Sequence, residues 1–298
     1  MKESLKKIYA GTILLMQTLV SLISIILFNH GNGRRGIRQL MRERKRDVVS
    51  VLANGPSAKE IIECHSDLLE NHDLLVMNYF ANSPDFFTLK PRYYVLLDPV
   101  FFDDGVVNFS EVNPKNEALP KEKMKNSLEK VDWDMVMLFP HTKAAIKASK
   151  TFVKNPNIRI IFYRPTRIIG FRWFQNLMYK HNQGIPSSRN VIIPSIIALL
   201  NMGYKDIYLY GAEFSWTKTM DVDPDNGLMY LNDRHFYSKK DIRYYGKGGY
   251  KQMLEAIVEM LDGTERVADY AASVGAVITN RTIGSFVDAF RYENIDRL

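Results

Sequence analysis

The sequence predicts a doubly wound α/β protein: a mostly parallel sheet with helices on both faces, an apolar helix before it, and a lid segment interrupting it. Three observations carry this. Short apolar runs without polar alternation recur along residues 47–298, as strands covered on both faces require. Segments of helical period, long enough for crossovers, separate them. One stretch, about 214–240, has no clear period, and an irregular connection that long inside a domain marks an active-site lid or a disordered stretch. The 298 residues, 46% of them hydrophobic, are ample for a buried core.

In chain order, the first element is Ile8–Phe28, an uncharged run of 21 residues, close to the ~20 needed to cross a bilayer core as a helix. No small-x-small cleavage site follows Phe28, so an uncleaved anchor is expected rather than a signal peptide. Three lysines precede the run and seven cations follow between Arg34 and Arg46. That bias predicts a single-pass inner-membrane anchor, the body cytoplasmic and the linker on anionic headgroups. Gln17, Thr18, Ser21 and Ser24 weaken the run, which leaves a buried or interfacial helix as the alternative.

Residues 1–46 form the anchor and basic linker, and 47–298 the second, catalytic unit. The first unit holds ten of the 40 Lys and Arg and two of the 33 Asp and Glu, which leaves 30 cations and 31 carboxylates for the body. A near-neutral body argues against a nucleic-acid-binding module. The single cysteine, Cys64, excludes an intrachain disulfide and a multi-cysteine zinc site.

Strand-like runs are Val48–Leu52, Leu74–Met77, Tyr93–Leu97, Met135–Phe139, Ile158–Phe162, Ile207–Leu209 and Ala276–Ile278. Helical candidates include Ser57–Glu63, His141–Lys150, Phe171–His181, Val191–Met202 and Lys251–Ser273. Core packing is the expectation for the aromatic run Phe171–Tyr179, with an acceptor or membrane-facing surface as the alternative. Several strands end in a polar residue: Asn54, Asn78, Asp98, Glu213 and Asn280. In open parallel sheets the crevice lies at the carboxyl ends of the strands, so these residues are expected to converge on a ligand there. In the first of these turns, Asn54-Gly55-Pro56-Ser57, Gly55 permits close backbone approach. Ser57 and Glu60 read as a capping box opening a helix whose amides can hold a phosphate. The turn lacks the Gly-Lys-Ser/Thr end of a phosphate-binding loop and the three-glycine dinucleotide fingerprint.

Asn54-Gly55-Pro56-Ser57, Asn78, Asp98-Pro99 with Phe101-Phe102, Gly203-Tyr204-Lys205 running to Gly211-Ala212-Glu213-Phe214, and Asn232-Asp233-Arg234-His235-Phe236 occur in order over about residues 48–290. In these the chain resembles the bacterial sialyltransferases of glycosyltransferase family 42. The resemblance implies a Rossmann-like nucleotide-binding fold of the GT-A variant, with a lid over a CMP-sialic acid donor, no metal or other cofactor, and transfer with inversion. His235 then stands at the general base, and Asn54, Asn78 and Asp98 at donor-contacting turns; Gly55, Ser57 and Glu213, from the reading of the turns, are the further donor-binding candidates. The family carries Asn at the place of Asp98. Asn190 falls where the family sets small hydroxylic residues against the donor. At the places of the two lid tyrosines that hold the departing phosphate stand Ser215 and Asp221, with Trp216, Tyr230 and Tyr237 as nearby substitutes. The implied partners are a CMP-sugar, a cell-surface glycan or lipooligosaccharide precursor, the membrane and a second copy in a homo-oligomer.

Two rivals remain at this point. Asp221-Val222-Asp223 could hold a divalent metal on a nucleotide-diphosphate sugar, although it does not end an apolar strand and reads better as a solvated lid loop. A pyrophosphokinase-like or non-catalytic relative sharing the Asn-Gly-Pro-Ser turn is the other. Gly246-Lys247-Gly248-Gly249 reads as a flexible lead into the last long helix rather than a phosphate cradle. His30, His65, His72, His141 and His181 have no motif around them and are expected to be structural.

Overall fold

The computed structural model describes residues 2–28, 41, 44–103, 118–187, 189–233 and 241–297. Eight strands form one sheet: β1 (Val48–Leu52), β2 (Asp73–Met77), β3 (Tyr93–Val95), β4 (Met135–Pro140), β5 (Ile158–Tyr163), β6 (Asp206–Tyr210), β10 (Val277–Asn280) and β11 (Arg291–Tyr292). Their order is β11-β10-β6-β1-β2-β3-β4-β5, and every neighbouring pair is parallel. From β1 the chain steps outward to β5, then returns to the other side of β1 with β6. The sheet is therefore doubly wound, and its strand order reverses between β1 and β6, where the connections diverge and leave a crevice.

All but β11 form where the apolar runs predict them because both faces are covered; β11, exposed at both residues, matches no predicted run. One face of β1, Val49 and Val51, packs with Leu209 and Ile278 against α8 (Ile192–Asn201) and α9 (Gly249–Ser273). The other face, Leu52 with Leu74, Val76, Met137 and Phe139, meets α2 (Ala58–Cys64), α4 (Asp85–Leu89) and α5 (Ala118–Glu129) through Ile61, Phe86 and Met124. From Ile192 to Leu200, α8 is buried at every residue, which explains its nearly continuous apolar sequence. Short helices α3 (Asp67–Glu70), α6 (Lys143–Ala148) and α7 (Arg172–Lys180) complete the crossovers. In α7 the aromatic run divides: Phe174 and Tyr179 are buried, whereas Trp173 is 66% exposed, contrary to the core packing expected of it.

The expectation of an aperiodic lid is corrected. Its described part folds into an antiparallel sheet of β7 (Met220–Val222), β8 (Met229–Asp233) and β9 (Asp241–Tyr245), in the order β7-β8-β9. A small core of Met229, Leu231 and Tyr245, seated on Trp216, Met220 and Met253, holds it to the body. The small sheet thus reaches Tyr245. Asp223 is a turn residue, accepting from Asp225 N at 2.9 Å and Asn226 Nδ2 at 3.0 Å.

The first helix, α1 (Lys2–Phe28), is long and apolar enough to cross a membrane. It touches the body along one stripe. Ser21 Oγ bonds both the amide and the carbonyl of Ile169 at 2.9 Å, and the Phe171 amide donates to Thr18 Oγ1 at 3.1 Å. Gly170, with φ +116°, permits this approach: a Cβ there would lie 2.1 Å from Thr18 Oγ1. Past the helix, the Lys45 and Arg46 amides donate to Asp73 Oδ2 at 3.2 and 3.1 Å. Tyr204 donates its hydroxyl to the same oxygen at 2.5 Å, and Arg44 Nη1 donates to the Gly203 carbonyl at 2.7 Å.

Candidate functional site

The crevice between β1 and β6 is built from two backbone turns zipped together. Ala53 N donates to Tyr210 O and Gly55 N to Gly211 O, both at 2.9 Å, which carries the pairing past the strand ends. Gly211 takes φ +68° and Phe214 φ +54°, the latter a costly left-handed conformation for an aromatic residue. This backbone course brings Glu213 back over the β1 turn, where its Oε1 accepts from Ser57 N at 2.7 Å. A Cβ on Gly55 would fall 1.6 Å from Glu213 Oε2 and 2.5 Å from the backbone oxygen of Gly211, so glycine is required there.

Two expectations are corrected by this geometry. Ser57 makes no side-chain cap, and its backbone is already helical, at φ −71° and ψ −13°, so no capping box forms. The helix amide expected to meet a phosphate is instead bonded to the protein's own carboxylate, Glu213. A phosphate at this turn would compete with that charge.

The same turn holds polar atoms that the protein leaves unsatisfied. Asn54, 7% exposed, donates through Nδ2 to the Met77 carbonyl at 3.1 Å, while its Oδ1 has no partner. Asn78 follows Met77 at the end of β2 with φ +52°, and its Oδ1 is also buried and unpartnered, as is Ser57 Oγ. Buried polar atoms without partners are uncommon and need an explanation, and three at the carboxyl ends of adjacent strands form a candidate ligand surface. Asn54, Gly55, Ser57, Asn78 and Glu213 are thus brought together.

The other candidates are placed differently. Asp98 follows β3 and is exposed; its Oδ1 accepts from Val100 N at 3.1 Å, capping the next turn. Asn190 lies just before α8, its Oδ1 accepting from Ile192 N at 2.8 Å. Because α8 runs back from the carboxyl end of β5 to the start of β6, Asn190 lies at the carboxyl edge of the sheet. Asn280 is fully engaged with the loop after β10, bonded to Ser285 Oγ, Val287 O and Thr282 N. Trp216 packs on Phe214 with ring centroids 5.1 Å apart, at the root of the lid. Tyr230 on β8 donates to Asp221 Oδ2 at 3.3 Å; burial, then the Asp221 charge, raises its hydroxyl above the ordinary value. His235 and Tyr237 lie outside the described residues. No group of three or more His, Cys, Asp or Glu that could hold a metal occurs among the described residues.

Two residues at the carboxyl edge escaped the sequence reading. His141, expected inside a helix, directly follows β4, and Arg164 directly follows β5 and is only 1% exposed. Arg164 Nη1 lies 3.3 Å from His141 Nδ1. Burial, then this cation, lowers the His141 pKa. Their position straight after apolar strands is the only signal either carries.

These features define an open, doubly wound parallel α/β protein with a polar crevice at its topological switch point. No family profile matches the chain, and no curated protein matches it in sequence. Among solved structures it is similar to the MAf glycosyltransferase of Magnetospirillum magneticum AMB-1, at 10% identity and a TM-score of 0.46 over 90% of this chain. The chain spans 38% of the length of that protein.

Proposed function

We propose that this chain is a membrane-attached, inverting, metal-independent glycosyltransferase that moves sialic acid or a related ulosonic acid from a CMP donor to a cell-surface glycan precursor. The observation that carries the reading is the cluster of buried, unpartnered atoms, Asn54 Oδ1, Ser57 Oγ and Asn78 Oδ1, at the switch point of a doubly wound sheet. The donor class comes from the motif resemblance. In the reaction the acceptor hydroxyl attacks the anomeric carbon, the bond to the CMP phosphate breaks with its electron pair leaving on CMP, and His235 takes the hydroxyl proton. A neutral histidine within hydrogen-bond reach is sufficient for that proton transfer. Asn54 and Asn78 hold the cytidine side of the donor, Asp98 and Asn190 flank it, and Trp216 and Tyr230 stand where the lid meets the departing phosphate. Glu213 acts on the donor through the turn it fixes.

The test is to incubate the protein with CMP-sialic acid and follow CMP release with and without glycan acceptors in the presence of chelator. Acceptor-dependent release is expected. His235→Ala should lower kcat by roughly 10²–10⁴ while leaving CMP affinity nearly intact, as expected for a positioned base. Wild-type turnover in that variant removes His235 from the mechanism.

A further inference from the structure

We propose that α1 does not span the bilayer but lies in the plane of an anionic membrane surface, its polar stripe docked on the body and its apolar face in the lipid. The buried or half-buried residues of α1 are Gly11, Leu14, Gln17, Thr18, Ser21, Ser24 and Ile25, a stripe with helical spacing. The fourteen rises of 1.5 Å from Gly11 to Ile25 make this contact about 21 Å long, half of the helix. The two hydroxyl clamps, Thr18 to Phe171 and Ser21 to Ile169, sit near its middle.

A spanning helix built from Ile8–Phe28 would put Thr18 at the bilayer centre, about 15 Å from either edge of the hydrocarbon. The loop it clasps would be carried there too. Beside that loop, a cavity of about 790 Å³ is lined by Leu14 and Gln17 of α1 together with Arg167, Arg172, Glu259 and Asp262. At that depth irregular backbone and charged side chains persist only inside a surrounding transmembrane body, and among the described residues α1 is the one helix long and apolar enough to span. Laid in the plane, the helix satisfies both sides at once. Leu15, Met16, Leu19, Val20, Ile23 and Ile26, all exposed, face the acyl boundary, as in other interfacial helices. Exposed Trp173, which lines the same cavity, continues this face with an aromatic ring suited to the headgroup layer. Lys6, Lys7 and the seven cations of residues 34–46 supply the complement to an anionic leaflet.

The full chain, made in bacterial cells, tests this independently of the transferase reading. Lys6 and the chain's single cysteine, Cys64, are both exposed, so Lys6→Cys in a Cys64→Ser background and the wild-type chain report the two ends of the anchor. Each is treated with membrane-impermeant maleimide in spheroplasts and in inverted vesicles. Both positions are expected in the membrane fraction and labelled from the same side, with at least a tenfold preference. Labelling of the two cysteines from opposite sides overturns the proposal, as does recovery of the chain in the soluble fraction, the outcome expected if a second copy covers the apolar face.

Discussion

At the scale of single residues, the crevice is shaped by what the protein satisfies and what it leaves open. Glu213 closes the β1 turn, and removing its charge should cost stability more than binding: Glu213→Gln is expected to lower unfolding free energy by about 1–2 kcal/mol, measured by urea titration. CMP affinity, measured by calorimetry, should change less than threefold in that variant. Asn78→Ala should weaken CMP about tenfold, since it removes an open acceptor and places alanine at φ +52°. Two histidines make stability acid-sensitive. Burial, then Arg281 and Arg46, lowers the His72 pKa, and burial beside Arg164 does the same for His141. An unfolded chain therefore binds these protons more readily. The stability they contribute is complete above about pH 6.5, the unfolded value, and declines as pH falls through the lowered folded values. Urea midpoints at pH 7.5 and 5.5 should differ in the wild type, and differ less in His72→Gln.

At the scale of elements, the same few residues decide what could be read in advance. Seven of the eight strands of the large sheet were legible because two covered faces demand apolar runs, and the Asn54 and Asn78 turns were legible as polar residues ending such runs; β11, two exposed residues at the sheet edge, carries no such signal. The lid strands were not. Asp221, Asn232 and Arg243 make β7, β8 and β9 polar, and only Met229, Leu231 and Tyr245 meeting Met253 across the chain give them a core. The role of Glu213 was equally hidden, since its partner Ser57 lies 156 residues away and the contact depends on the backbone turn at Gly211 and Phe214. In α1, Thr18 and Ser21 read as blemishes in an apolar run; they are its docking atoms. Ser21→Ala should therefore release a specific amide, with Ile169 N–H exchanging about fivefold or more faster by hydrogen–deuterium exchange while the amides of β1 and β6 keep their protection.

At the scale of the whole molecule, the charged linker is structural as well as cationic. A chain beginning at Met41 keeps the Lys45 and Arg46 amides on buried Asp73, whereas one beginning at Asp47 loses both. Both should be soluble and near neutral and should bind CMP, but the longer chain should be more stable by about 1.5–3 kcal/mol in denaturant titrations. The central place of β1 also sets an order of events during synthesis. Its neighbour β2 emerges soon after it, but β6 follows about 150 residues later, a delay of roughly 8–30 s at ordinary translation rates. Throughout that interval the nascent sheet grows on one side only, and Val48–Leu52 presents an open, apolar strand edge on the ribosome. Final closure of the crevice must wait for Gly211 and Glu213, so every molecule passes through a half-sheet state that is competent to aggregate and needs shielding until translation is well past two thirds complete.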